Sequence, residues 1–191
     1  ITAPVVSATQ LTSTKGLYTV QIYSESIEKG LTFTFAGREF ICETPLVSDP
    51  KEANSTLTMV TGYVELPHCT MSGINVEVTM NECYYLFHLP ESGSLATMDL
   101  ICPLGNEVTF DVRAGTMNIC RVHMVPQTGR SHVKFENSGQ HVIQEFTVGG
   151  IHATLTDEGG FLCPFSGETT ITNGTYTGLV TLIGNEEIDV G

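Results

Sequence analysis

The sequence predicts an all-β fold, an antiparallel β-sandwich of immunoglobulin-like size or larger, stapled by disulfides. Three observations carry this. Apolar and polar residues alternate with period two in stretch after stretch, as in strands with one face on a core and one in water. Glycine and proline clusters punctuate those stretches. Helical periodicity is nearly absent, and one helical turn near Asp49 to Ala53 is all that the pattern allows.

The alternation is plainest in Leu17–Tyr23, Leu31–Phe35, Ile74–Met80 and Val108–Val112. Further strands are expected at 38–42, 55–64, 83–89, 96–102, 117–125, 131–136, 141–148, 151–156 and 174–183. Turns are expected at Ala36-Gly37, Pro103-Leu104-Gly105, Pro126-Gln127-Thr128-Gly129, Gly149-Gly150 and Gly159-Gly160. About a dozen strands exceed the roughly seven to nine of one immunoglobulin-type sandwich. One large sandwich or two fused β units would absorb them, with a sub-boundary near 90–95, at Pro90-Glu91-Ser92-Gly93-Ser94. Residues 1–14 read as an extended N-terminal arm and 15–191 as the sandwich domain.

Composition excludes several functions. The 191 residues carry Lys+Arg 8 against Asp+Glu 21, a formal net charge of −13. A nucleic-acid binder neutralises phosphates with clustered Lys and Arg, and a polybasic membrane contact needs the same. At 41% hydrophobic residues the chain has enough apolar material for a core. Its polarity comes from 26 Thr, with Ser and Gly, rather than from charge, which is only 15%.

The six cysteines, Cys42, Cys69, Cys83, Cys102, Cys120 and Cys163, include no CxxC pair, which argues against a zinc ribbon or a thioredoxin-like site. An even count at wide spacing reads as three disulfides and export to an oxidising compartment, so a secreted, extracellular or cell-surface location is expected. Cys69 and Cys83 flank one strand, and Cys102 and Cys120 flank another. Phe40-Ile41-Cys42 and Phe161-Leu162-Cys163 echo each other at the two ends of the chain. These spans favour Cys69–Cys83, Cys102–Cys120 and Cys42–Cys163, one of about fifteen pairings open to six cysteines. The chain opens at Ile1 with no leader pattern, which reads as a mature form after signal-peptide removal or an expressed fragment. No apolar stretch reaches the ~20 residues of a membrane span. Asn54-Ser55-Thr56 and Asn173-Gly174-Thr175 fit the N-glycosylation sequon.

A set of segments in fixed order resembles a known group. These are Cys69-Thr70 through Asn81-Glu82-Cys83-Tyr84-Tyr85-Leu86-Phe87-His88, then Ile101-Cys102-Pro103, Val125-Pro126-Gln127-Thr128-Gly129, Gly160-Phe161-Leu162-Cys163-Pro164-Phe165-Ser166-Gly167 and Asn173-Gly174-Thr175-Tyr176-Thr177-Gly178. Together, over residues 35–184, they resemble uncharacterised secreted, Cys-containing β-rich proteins of soil-type actinobacteria. The resemblance implies a secreted, disulfide-bonded β protein and brings no activity or catalytic residues with it.

Motifs for chemistry are sparse. There is no GxSxG. Ser131 and His132 are adjacent, and neighbours on a regular strand point to opposite faces. His68, His88, His123, His132, His141 and His152 form no H-x-H pair, so a metal site would need distant partners such as His68 with His88 or His132 with His141. Calcium is the one ion weighed, at Asp157-Glu158-Gly159-Gly160 or Asn185–Asp189, and neither follows a calcium-loop pattern. No cofactor is expected. With 21 acidic residues a glycosidase pair can always be nominated, so that signal has no value. Trp is absent, leaving Tyr84-Tyr85 and Tyr176 as platforms for a glycan. The uncharged arm with Val5, Val6 and Leu11 could add a strand to a neighbouring subunit. The sequence therefore points to a non-catalytic structural or surface protein, a homo-oligomer or polymer that forms a fibre or layer. The alternatives are a glycan-binding module and, behind it, a secreted hydrolase.

Overall fold

The computed structural model describes residues 11–13, 20–23, 30–43, 46–49, 56–57, 59–89, 95–139, 141–159, 163, 169–183 and 188–190. Among these, every regular element is a strand: β1 (Leu11–Ser13), β2 (Val20–Tyr23), β3 (Leu31–Phe35), β4 (Arg38–Glu43), β5 (Leu46–Asp49), β6 (Thr56–Leu57), β7 (Met59–Glu65), β8 (His68–Met71), β9 (Ile74–Thr79), β10 (Tyr84–His88), β11 (Leu95–Ile101), β12 (Val108–Ala114), β13 (Met117–Met124), β14 (Gln127–Ser138), β15 (His141–Asp157), β16 (Thr169–Ile183) and β17 (Ile188–Val190).

The sheet is not a sandwich. Elements β2 to β16, β6 apart, close into one antiparallel barrel. In chain order they join end to end into eight long strands: β2 with β3, β4 with β5, β7 with β8, β9 with β10, β11 with β12, β13 with β14, then β15 and β16, each unbroken. Each long strand pairs with the one before and the one after, and β16 returns to β2 and β3 to close the circuit. The topology is an up-and-down meander, which leaves no edge on the closed sheet. The first and last portions of the chain do share a sheet, but through β3 and β16.

Six of the long strands are interrupted halfway, which gives the barrel a waist. One half, bounded by the hairpin turns at 36–37, 72–73 and 115–116, contains β3, β4, β8, β9, β12 and β13. The other half contains β2, β5, β7, β10, β11 and β14. Only β15 and β16 run through both; at about 3.3 Å per residue the 15 residues of β16 span roughly 50 Å. Gly149-Gly150, expected as a turn between two strands, is a bulge inside β15, where Gly150 has φ 67° and the register to β16 slips between Val148 and Ile151. Pro103-Leu104-Gly105 and Pro126 fall at waist interruptions rather than at hairpins.

Alternation then sorts the side chains. Leu31, Phe33 and Phe35 face the interior from β3, Val108, Phe110 and Val112 from β12, and Phe146, Val148, Ile151 and Leu155 from β15. The outer face carries Thr34, Glu39, Asn75, Glu77, Lys134 and Glu145. Apolar inside and polar outside is the reverse of a membrane-spanning barrel.

At the hairpin end Cys163, in the connection from β15 to β16, is buried and bonded to Cys120 of β13. Separately, β1 lies between β17 and β6 in a three-stranded sheet, and β17 also packs against β14 and β15. Part of the N-terminal arm thus pairs with its own chain, Leu11 opposite Val190 on one side and Leu57 on the other. Val5 and Val6 lie outside the described residues, as do 90–94; the strands flanking 90–94, β10 and β11, pair with each other.

The disulfides join Cys42 to Cys69, Cys83 to Cys102 and Cys120 to Cys163. All six cysteines are therefore bridged, and the pairing expected from strand spans is wrong in every bond. In the β8–β9 hairpin Cys69 lies opposite Val76, so Cys83 is a further seven residues, roughly 20 Å, along the strand. Cys120 lies opposite Val112 for the same reason, far from Cys102. Cysteines that flank one strand are carried to its two ends, whereas those on adjacent strands meet.

Candidate functional site

Aromatic side chains pack against one another through the described interior. Phe33 stacks on Tyr176 at 4.4 Å and meets Phe110 edge-on at 5.1 Å. Tyr176 continues to Phe146 at 4.7 Å, and Phe146 to Phe87 at 5.8 Å. This aromatic chain passes through the waist, from Phe110 and Phe33 in one half to Phe87 in the other. It also corrects the expected glycan platform: Tyr85 and Tyr176 are core residues, each 2% exposed. Burial pushes both phenols above their ordinary range, and for Tyr176 the neighbouring Tyr85 adds to it. Only Tyr84 of that trio, half-buried, faces outward. The Tyr85 hydroxyl and the Gln144 amide nitrogen are buried without a hydrogen-bond partner.

Polar side chains gather on the outer wall. Asp111 of β12 is covered by Arg121, opposite it on β13, whose Nε and Nη2 both donate to the carboxylate, Nη2 at 3.1 Å. That hydrogen bond raises the Arg121 pKa further, against a smaller opposing effect of burial. Glu158 reaches the same guanidinium at 3.6 Å. One residue pair further along, the Glu107 carboxylate bonds Nδ1 of His123, and Nε2 of His123 lies 3.3 Å from the Thr156 hydroxyl.

Acid, imidazole and hydroxyl in that order are the connectivity of a nucleophile relay. Among the described residues, the hydroxyl and the turn beside it already have partners. Thr156 donates to the Arg121 carbonyl at 3.4 Å, and the following turn spends the N–H groups of Glu158 and Gly159 on the Ile119 carbonyl, at 3.1 and 2.9 Å. Among the described residues of that turn, these two N–H groups are therefore not aimed at an oxyanion. The arrangement ties three strands together.

A second tie crosses β10, β11 and β14. His88 Nε2 lies 2.8 Å from Asp99, whose other oxygen accepts from the Gly129 N–H at 2.7 Å. Where the β13–β14 strand passes Gly150, Gln127 bridges the gap, accepting from the His152 N–H at 2.9 Å and donating to the His152 carbonyl at 3.0 Å. Ser131 and His132 do meet, Oγ to Nδ1 at 2.9 Å, contrary to strict alternation. They form a bulge opposite Thr97, and His132 has φ 78°, which turns its ring back to its neighbour. Both are exposed, and no carboxylate holds the His132 ring among the described residues.

No group of three or more His, Cys, Asp or Glu that could hold a metal occurs among the described residues. His68 is exposed, His88 and His123 are held by carboxylates, and the His141 side chain lies outside the described residues. At the proposed calcium loop, Asp157 Oδ1 accepts from Gly159 N at 3.1 Å and Glu158 faces Arg121. Residues 185–187 of the other acidic loop lie outside the described residues, while Ile188 and Asp189 belong to β17. Asn173 is exposed on β16, and Asn54 lies outside the described residues.

The fold defines a class: an eight-stranded antiparallel meander barrel with three internal disulfides. Comparison with protein-family models, curated proteins and solved structures finds no match. Three disulfides mark an oxidising environment, and no helix of the described residues is long and apolar enough to cross a membrane.

Proposed function

We propose that this chain is a non-catalytic extracellular structural or cell-surface protein whose copies associate by exchanging β1. The observation that carries the reading is the position of β1 between β6 and β17. It is held there by two register pairs on one side and three on the other. Every copy has the same slot, so a β1 delivered to a neighbour re-forms the same backbone ladder, the low-cost route to association by swapped elements. Passed from copy to copy, the exchange builds a fibre or layer.

The disulfides suit an environment with proteases or drying. The resemblance to secreted actinobacterial β proteins points the same way. In a glycosylating host the exposed Asn173 is the acceptor side chain open to modification.

The test uses the register. Leu11 and Val190 are opposite each other, so the double variant Leu11→Cys, Val190→Cys places a crosslink across the three-stranded sheet. Exchange yields a ladder of covalent multimers on non-reducing gels. A chain that keeps β1 at home yields only crosslinked monomer at every concentration, and the reading then fails.

A further inference from the structure

Among the described residues, Ser131 and His132 bring a hydroxyl and an imidazole together in open solvent, Oγ to Nδ1 at 2.9 Å, with both side chains exposed. Regular strand backbone would hold them apart, because neighbours on a strand point to opposite faces. The register to β11 runs from Ala96 opposite Val133 to Met98 opposite Arg130, so two residues of β14 oppose Thr97 alone. His132 takes φ 78° there, a left-handed conformation that costs an L residue about 1–2 kcal/mol. The local strain is what puts an imidazole nitrogen on its neighbour's hydroxyl, and strain of this kind gathers at functional positions.

The contact between Thr156 and His123 is different in kind. It is half-buried and longer, at 3.3 Å, and the Thr156 hydroxyl donates to the Arg121 carbonyl. With the ring proton of His132 on Nε2, Nδ1 is the acceptor for the Ser131 proton, and among the described residues that hydroxyl has no competing partner. Arg130, just before the pair, is half-buried, and its Nε has no hydrogen-bond partner. Arg113 and Arg121 are paired with carboxylates, whereas Arg130 has no such partner among the described residues. A positive charge therefore stands one residue from the hydroxyl, in a chain of net charge −13.

We infer that Ser131 is an acyl-acceptor site: a hydroxyl activated by His132 that takes an acyl group from an activated ester and keeps it. Ser131 Oγ bonds to the ester carbonyl carbon, and its proton passes to His132 Nδ1. The bond from that carbon to the leaving oxygen then breaks, and the leaving alcohol departs with the proton. Repeated turnover asks for more, a carboxylate to hold the imidazolium and donors for the oxyanion of the second step. Among the described residues no carboxylate holds the His132 ring, and the nearby Gly129 N–H is spent on Asp99 at 2.7 Å. A reactive donor drives the first step without that help, whereas hydrolysis of the unactivated serine ester does not proceed readily, so the ester accumulates. The inference goes beyond the β1 exchange proposed above and does not depend on it: an acyl group on the outer wall is a covalent tether.

Treatment of the full, oxidised chain with p-nitrophenyl acetate tests it, read by phenolate release, intact mass and peptide mapping. Release beyond the background of Ser131→Ala should stop at one equivalent. One acetyl group should sit on the peptide holding Ser131 and come off with hydroxylamine, as an ester does. His132→Asn keeps a residue that tolerates the left-handed backbone but removes the base, and should slow acetylation at Ser131 about a hundredfold. Both variants alter only exposed side chains, and circular dichroism confirms their folding. Acetyl groups spread over lysines and other hydroxyls with no preference for Ser131 overturn the site. An unchanged rate in His132→Asn overturns the activation by imidazole. Release that runs past one equivalent, and is lost in Ser131→Ala, makes the site a hydrolase and overturns the acceptor. The Leu11–Val190 crosslink bears on strand exchange alone, so the two readings fail separately.

Discussion

Cys42 and Cys69 face each other in register across β4 and β8, their Cα atoms 4.0 Å apart, and both are buried inside the barrel. Their bond joins the second long strand to the third just beside the waist. A non-reducing digest should return three linked peptide pairs, containing 42 with 69, 83 with 102 and 120 with 163, read by mass spectrometry. Opening the first of these with Cys42→Ala, Cys69→Ala should cost roughly 3–4 kcal/mol by the chain-entropy argument, measured by urea unfolding.

The Tyr85 hydroxyl is buried and unpartnered, so Tyr85→Phe should stabilise the protein by about 1 kcal/mol rather than weaken it. The same burial sets a pH dependence. Burial raises the folded-state phenols of Tyr85 and Tyr176, whereas in the unfolded chain they ionise near their ordinary value of about 10. Their contribution is complete below that value and is lost as pH rises through the folded value. Thermal melts should therefore fall steadily above about pH 10, and Tyr85→Phe should flatten the decline.

Arg121 covers the buried carboxylate of Asp111. Arg121→Ala strands that charge and should cost about 1–3 kcal/mol, the figure held down because Arg121 is about a third exposed. Asp111→Asn in the Arg121→Ala background should recover part of it. A double-mutant cycle by chemical unfolding checks the coupling.

Gly30, at the start of β3, has φ 46°, and a Cβ there would lie 2.2 Å from the Cys42 carbonyl oxygen. Gly30→Ala should cost several kcal/mol, about 2–4. Gly73→Ala, which also has positive φ but meets nothing within 4 Å, should cost about 1 kcal/mol. The difference in melting midpoint between the two separates backbone strain from collision.

Much of the barrel wall was legible in the chain. Leu31–Phe35 and Val108–Val112 alternate in sequence and alternate between core and outer face. Ala36-Gly37 turns where it was expected to turn, whereas the turn at Gly115-Thr116 was not anticipated. Gly149-Gly150 misled because a glycine pair serves a bulge as readily as a hairpin, and only the partner strand β16 decides between them. Tyr85 and Tyr176 looked like surface aromatics because period two gives each strand two faces without saying which is inside. Ser131 and His132 meet only because a register slip against β11 adds a residue there.

The amino-acid sequence alone determined an all-β chain, six cysteines destined for disulfides, and an acidic, hydroxyl-rich outer face, since these follow from local periodicity and composition. Closure, partner choice and disulfide pairing were settled only in three dimensions. Whether β16 returns to β3, whether β1 finds β17, and which cysteine meets Cys42 all depend on contacts between residues far apart in the chain. Local alternation is the same for a sandwich and a barrel; what distinguishes them is where the last strand finds its hydrogen bonds.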